Sequence, residues 1–156
     1  MTKKFGLMLN ELLVDTFNSI KRIEENSLQA RHDIKLTISE YHLIESVGRG
    51  YEHGRSISHI ASDLGISNAT VTIGVNKLIK KGLLEKYRSL HDGRVVFVKL
   101  TREGRRINAG HRLFHQHMIS NLGKEFDDDE LKLLMRCFEK MNGYFKRYNR
   151  VVQKHD

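Results

Sequence analysis

Between Ser56 and Leu100 the apolar residues switch from the helical to the strand period, with a turn signal at each change of direction. Ile57, Ile60, Ala61 and Leu64 mark the inward face of a short helix, and Gly65 makes a tight turn after it. Ser67 then caps a further helix whose inward residues Val71, Val75 and Leu78 follow at i, i+4 and i+7. Gly82 ends that helix. From there "LLEKYRS" and "VVFVKL" alternate in the strand period, and Asp92-Gly93 between them is a strong hairpin signal. Two short helices joined by a tight turn form a helix-turn-helix, and here the motif runs directly into a β-hairpin.

The rest of the chain is helical in pattern. It contains no proline, the residue that most readily breaks a helix. Phe5, Leu9, Leu12, Leu13, Phe17, Ile20 and Ile23 give a long first helix one greasy face, and Ser39 is the expected N-cap of a second helix over "EYHLIESV". Thr101 opens another long helix carrying Ile107, Leu113, Phe114, Met118, Ile119 and Leu122. Asp127 and Glu130 have the spacing of a capping box before the last helix, whose stripe is Leu131, Leu134, Phe138, Met141 and Phe145. The first and last stripes exceed what one small core absorbs, so they are expected to pack together and to form a dimer interface. The expected fold is mainly α with a small β-hairpin wing (α+β). In one domain spanning 1–156, a winged helix-turn-helix at 37–101 is flanked by dimerisation helices at 1–36 and 102–156.

Charge narrows the function. Residues 67–106 carry ten basic side chains against three acidic ones, which accounts for nearly all of the formal net charge of +8. A basic surface confined to one structural unit suits a polyanion. No stretch approaches the ~20 apolar residues of a membrane span, and "MTKKFGLMLNELLVD" acquires acids too soon for a secretory signal. Cytoplasmic residence is expected, without a membrane partner. The single cysteine, Cys137, excludes an intrachain disulfide and, lying in an apolar helical pattern, is expected in the core. With no glycine-rich phosphate loop and no nucleophile–base–acid set, an enzyme is not expected.

With Val71, Val75 and Leu78 turned inward, Asn68, Ala69, Thr70, Thr72, Ile73 and Asn76 face outward, bordered by Ser67 and Lys77. Small polar residues let a helix lie in a major groove and meet base edges. Asn68 and Thr72 are the leading candidates for base contacts, and Ile73 for a thymine methyl. Gly74 inside the helix costs about 1 kcal/mol relative to alanine, which suggests close approach of another group there. Asp92 and Arg94 lie two residues apart on one side of an extended strand, so the carboxylate can aim the guanidinium from the wing tip into a minor groove. Lys86 and Arg88 are expected on phosphates, where they supply the salt-dependent part of affinity. A winged helix that binds RNA or a protein partner is the alternative.

These residues resemble the MarR family of bacterial winged-helix repressors. "ISNATVTIGVNKLIKKGLLEKYRSLHDGRVVFVKLTREG" is similar to its helix, Leu-x-x-x-Gly-Leu turn, Asp-x-Arg wing and Leu-Thr-x-x-Gly exit. The resemblance implies a homodimer on palindromic duplex DNA. Many members carry a basic residue where this chain has Ile73, so operator sequence does not carry over. Within the family, "IEENSLQ", "ATVT", "NKLIKKG", "RSLHDGRVV" and "HRLFHQHM" are similar to regulators of fatty-acid biosynthesis. That similarity implies a long-chain acyl ligand and acyl-acyl carrier protein as effector. Similarity to zinc-responsive members implies instead a zinc site at Glu24, His42, His111 and His115, which are three imidazoles and one carboxylate. The fatty-acid regulators carry the same four residues, so a buried polar network is the competing role.

Overall fold

The computed structural model describes residues 2–29, 34–88 and 95–152, with side chains over 2–26, 34–88 and 95–148. The elements run α1 (Lys3–Gln29), α2 (Ile38–Gly48), a 3-10 turn (Tyr51–His53), β1 (Arg55–Ser56), α3 (Ile57–Leu64) and α4 (Asn68–Lys80). They continue with β2 (Leu84–Arg88), β3 (Val96–Leu100), α5 (Arg102–Leu122), a second 3-10 turn (Gly123–Glu125) and α6 (Asp128–Val152). The chain divides into two compact units, residues 1–114 and 115–156. The expected helix-turn-helix and wing strands are present, and no described helix is long and apolar enough to cross a membrane.

In the first unit the strands pair antiparallel in the order β1-β3-β2. Leu84 faces Leu100 and Arg88 faces Val96, so β2 and β3 pair over their whole length, while β1 adds Arg55 opposite Val98. The core takes Tyr41, Ile44 and Val47 from α2, Ile60 from α3, Val71, Val75 and Leu78 from α4, Val98 from β3 and Ile107 from α5. Ile57 and Leu64 pack at its edge, as the α3 pattern predicts. Gly104 shows why the α5 entrance needs glycine: a Cβ there would stand 2.1 Å from the Leu83 carbonyl oxygen. Thr101 explains its neighbour in the motif. Its hydroxyl donates to the Gly82 carbonyl at 2.7 Å and accepts from the Gly104 amide at 3.1 Å, tying the start of α5 to the end of α4.

Thr37, rather than the expected Ser39, caps α2. Its hydroxyl accepts from the Glu40 amide at 3.3 Å, and the Glu40 carboxylate accepts from the Thr37 amide at 2.9 Å. This reciprocal box satisfies two donors that a cap at Ser39 would leave open. Along α1, Phe5, Leu9, Leu12, Leu13, Phe17, Ile20 and Ile23 are exposed, with Phe17 68% so.

In the second unit, the Asp127 carboxylate accepts from the Glu130 amide and Glu130 accepts from the Asp127 amide, both at 2.9 Å. The expected capping box therefore opens α6. Leu131, Leu134 and Met141 are half-buried, whereas Phe138 and Phe145 are exposed. Cys137, expected in the core, is also exposed. A unit of two helical segments has too little apolar surface to enclose it.

Asp63 joins three elements. Its carboxylate accepts from Ser46 Oγ at 2.8 Å, from Arg55 at 2.9 Å and from Arg49 at 3.1 Å, linking α3 to α2 and β1. Burial by itself would raise the Asp63 carboxyl. The hydrogen bonds from Ser46 and Arg55 and the charges of both arginines outweigh that and hold it below the ordinary aspartate value. A carboxyl depressed in the folded chain contributes stability that is present above its unfolded value and lost as pH falls through the folded one. Asp63→Asn should therefore cost about 1–3 kcal/mol at neutral pH. The gap from wild type should close below about pH 4. Urea denaturation at neutral and acid pH checks this, and a gap that stayed constant would detach the loss from the charge.

Candidate nucleic-acid interface

The outward face of α4 follows from its inward one. Val71, Val75 and Leu78 are each 0% exposed, so the residues between them in the helical rotation must point away. Ser67 caps the helix, its hydroxyl accepting from the Thr70 amide at 3.1 Å, and Gly65 turns the preceding chain in the left-handed region. A Cβ on Gly74 would lie 2.8 Å from Leu43 Cδ2, so the close approach expected there comes from α2.

The expected DNA-reading residues divide by what their polar groups already do. Asn68, Ile73, Asn76 and Lys77 are exposed, Ile73 by 58%. Ser67 and Thr70 are exposed but share a hydroxyl–hydroxyl bond of 2.9 Å. Thr72 is half-buried and its hydroxyl donates to the Asn68 carbonyl at 2.8 Å, which leaves it an acceptor and a methyl group to present. Arg88 is exposed at the end of β2. Lys86, expected on a phosphate, is exposed and donates to Asn76 Oδ1 at 2.6 Å. Asp92 and Arg94 lie outside the described residues.

Two further features escaped the sequence reading. An open cleft of about 690 Å³ beside α4 is lined by Lys35, Thr37, Glu40, Lys77, Lys80 and Lys81. Within it Lys81 donates to Glu40 at 2.7 Å and to the Lys35 carbonyl at 2.9 Å, so Lys81 closes a structural tie. Burial raises the Glu40 carboxyl, but Lys81 and the Thr37 cap more than compensate and hold it low. The second feature is the Lys86–Asn76 bond. Only the acceptor–donor chemistry of an amide and an ammonium hints at it, because nothing in the sequence brings β2 beside the third turn of α4.

A second polar cluster lies where α1, α2 and α5 meet. Glu24 Oε1 and His111 Nε2 are 2.9 Å apart, both residues buried, and His42 Nε2 stands 3.6 Å from the same oxygen. Tyr41 stacks on the His111 ring at 5.3 Å, and Glu45 lies 3.9 Å from His111 Nδ1. His115 is one turn further along α5. A carboxylate and imidazoles are donor types that zinc takes, so the chemistry of Glu24, His42 and His111 fits such an ion. The same arrangement is also an ordinary buried hydrogen bond.

A helix-turn-helix followed by a pair of antiparallel strands is a winged helix. The family described as "Transcriptional regulator SarA/Rot" matches residues 27–110, more than half of the chain, and the chain belongs to that family of MarR-type winged-helix regulators. It is 28% identical to the crystal structure of Streptococcus pneumoniae FabT in complex with DNA, which covers 91% of this chain and 98% of that one with a TM-score of 0.86. It is 26% identical to the transcriptional regulator AdcR of Streptococcus pneumoniae, over 94% of this chain and 98% of that protein. The zinc-responsive MarR family member ZitR of Lactococcus lactis is 25% identical, with 88% of this chain and 99% of that one covered and a TM-score of 0.63. Such relatives are regulators, and the chain is not an enzyme.

Ser67→Ala removes the acceptor that caps α4. It should lower global stability by about 1 kcal/mol, read as a drop in the thermal midpoint. An unchanged midpoint would show that the cap carries no net stability.

Proposed function

We propose that the chain is a cytoplasmic homodimeric repressor that binds palindromic duplex DNA. The carrying observation is the exposed small and polar face of α4, held outward by three fully buried residues and set beside a basic strand. A dimer puts two such helices about one turn of DNA apart. The long exposed apolar faces of α1 and α6 support dimerisation, because a monomer would leave them in water. Asn68, Thr72, Ile73 and Asn76 meet base edges, with Ser67, Thr70, Lys77 and Arg88 along the backbone and Arg94, aimed by Asp92, in the minor groove. Arg94→Ala should weaken operator binding by at least about 1 kcal/mol and leave the dimer folded. Fluorescence anisotropy with analytical ultracentrifugation checks this, and unchanged affinity would remove the wing from the mechanism.

For the signal, we propose regulation of fatty-acid biosynthesis genes, with acyl-acyl carrier protein as effector and a long acyl chain as ligand. The motifs shared with that subgroup and the similarity to FabT support this reading. The buried Glu24–His111 pair favours a second one, zinc response with Glu24, His42, His111 and His115 as ligands, and similarity to ZitR supports it. In both readings Glu24 and His111 fix the α1 and α5 helices relative to α2. Native mass spectrometry of protein purified without added metal or chelator separates them. A dimer carrying zinc that is lost on His111→Ala and His115→Ala supports the metal reading, and a metal-free, lipid-laden dimer supports the acyl reading.

A further inference from the structure

The bond between Lys86 and Asn76 joins the wing to the reading helix. Asn76 is exposed on the third turn of α4, and Lys86 is exposed on β2, opposite Val98 of β3. The ammonium reaches Asn76 Oδ1 at 2.6 Å. An ammonium has only donors, so it must face the amide oxygen, and the amide nitrogen is thereby turned away from it. An unrestrained asparagine rotates freely and can pair with adenine through both its atoms, donating to N7 and accepting from N6. Here the oxygen is engaged and a positive charge stands beside it. One lone pair of the oxygen remains, but the ammonium beside it opposes a second donor, so the pair favours the N7 and O6 of guanine over the amino groups of adenine and cytosine.

We propose that Lys86 is a positioning residue that sets the base preference of Asn76, turning it from adenine toward guanine. The inference rests on the DNA-binding reading above. It gives Lys86 a sequence-specific role where a phosphate contact would be indifferent to sequence.

The test is selection of binding sites by the full-length chain from a random duplex library, followed by affinity measurements on the selected site over a salt series. Wild type should prefer guanine at one symmetric position per half-site, and Asn76→Ala should abolish the preference at that position. Lys86→Met should shift that position toward adenine, by about fivefold or more, and leave the other positions alone. Lys86→Arg, which keeps a donor for the amide oxygen, should retain guanine. In the Asn76→Ala background, Lys86→Met should no longer change the preference. Both residues are exposed, so thermal midpoints serve as the check that each variant folds. A loss from Lys86→Met that is equal across sequences, with the salt slope reduced by about one, would make Lys86 a phosphate ligand and overturn the proposal. An unaltered preference would overturn it too. If wild type selects no sequence at all, the DNA-binding reading itself fails, an outcome distinct from either.

Discussion

What α4 hides decides what it can touch. Val71, Val75 and Leu78 are completely enclosed by residues of α2, α3 and the sheet, and burying each is worth about 1.5–3 kcal/mol. Rotating the helix by one residue would expose all three and bury polar groups in their place. The face carrying Asn68, Ile73, Asn76 and Lys77 is thus as firmly set as the core itself. The apolar contact fixes the rotation about the helix axis, and Gly74 lets α2 approach closely enough to fix the distance.

Polar ties at the ends of elements then fix the angles. Helix ends leave backbone groups without intrahelical partners, and side chains exploit them: Thr37 and Glu40 at α2, Ser67 at α4, Thr101 at α5. Asp63 and Lys81 work between elements, the first joining α3 to α2 and β1, the second joining the end of α4 to the start of α2. The helix α2 also meets the buried histidine: Tyr41 stacks on His111 while Leu43 packs over Gly74. One helix therefore supports both the reading face and the cluster proposed as an effector site.

Much of this was legible along the chain because it is local. The two short helices, their glycine turn, the Ser67 cap, the hairpin strands and the Asp127–Glu130 box all depend on residues within a few positions of each other. The errors were of two kinds. Ser39 lost to Thr37 because the deciding partner, Glu40, makes a second bond from the other direction. Cys137 sits in an apolar pattern but lies exposed, since periodicity reports which face is greasy and says nothing of whether anything covers it.

The sequence by itself determined the class of fold and which side of each helix is apolar, because both follow from the period of the side chains. The family was legible for a related reason: the turn, wing and exit motifs are short runs of sequence, and in the exit Thr101 bonds the Gly82 carbonyl while Gly104 makes room for that of Leu83. Only the tertiary structure decided which polar groups remain available. It engaged Lys86 with Asn76, Lys81 with Glu40 and Glu24 with His111. Each of these pairings joins residues from separate elements. A hydrogen bond is decided by a few tenths of an ångström of position, which the periodicity of a sequence does not encode.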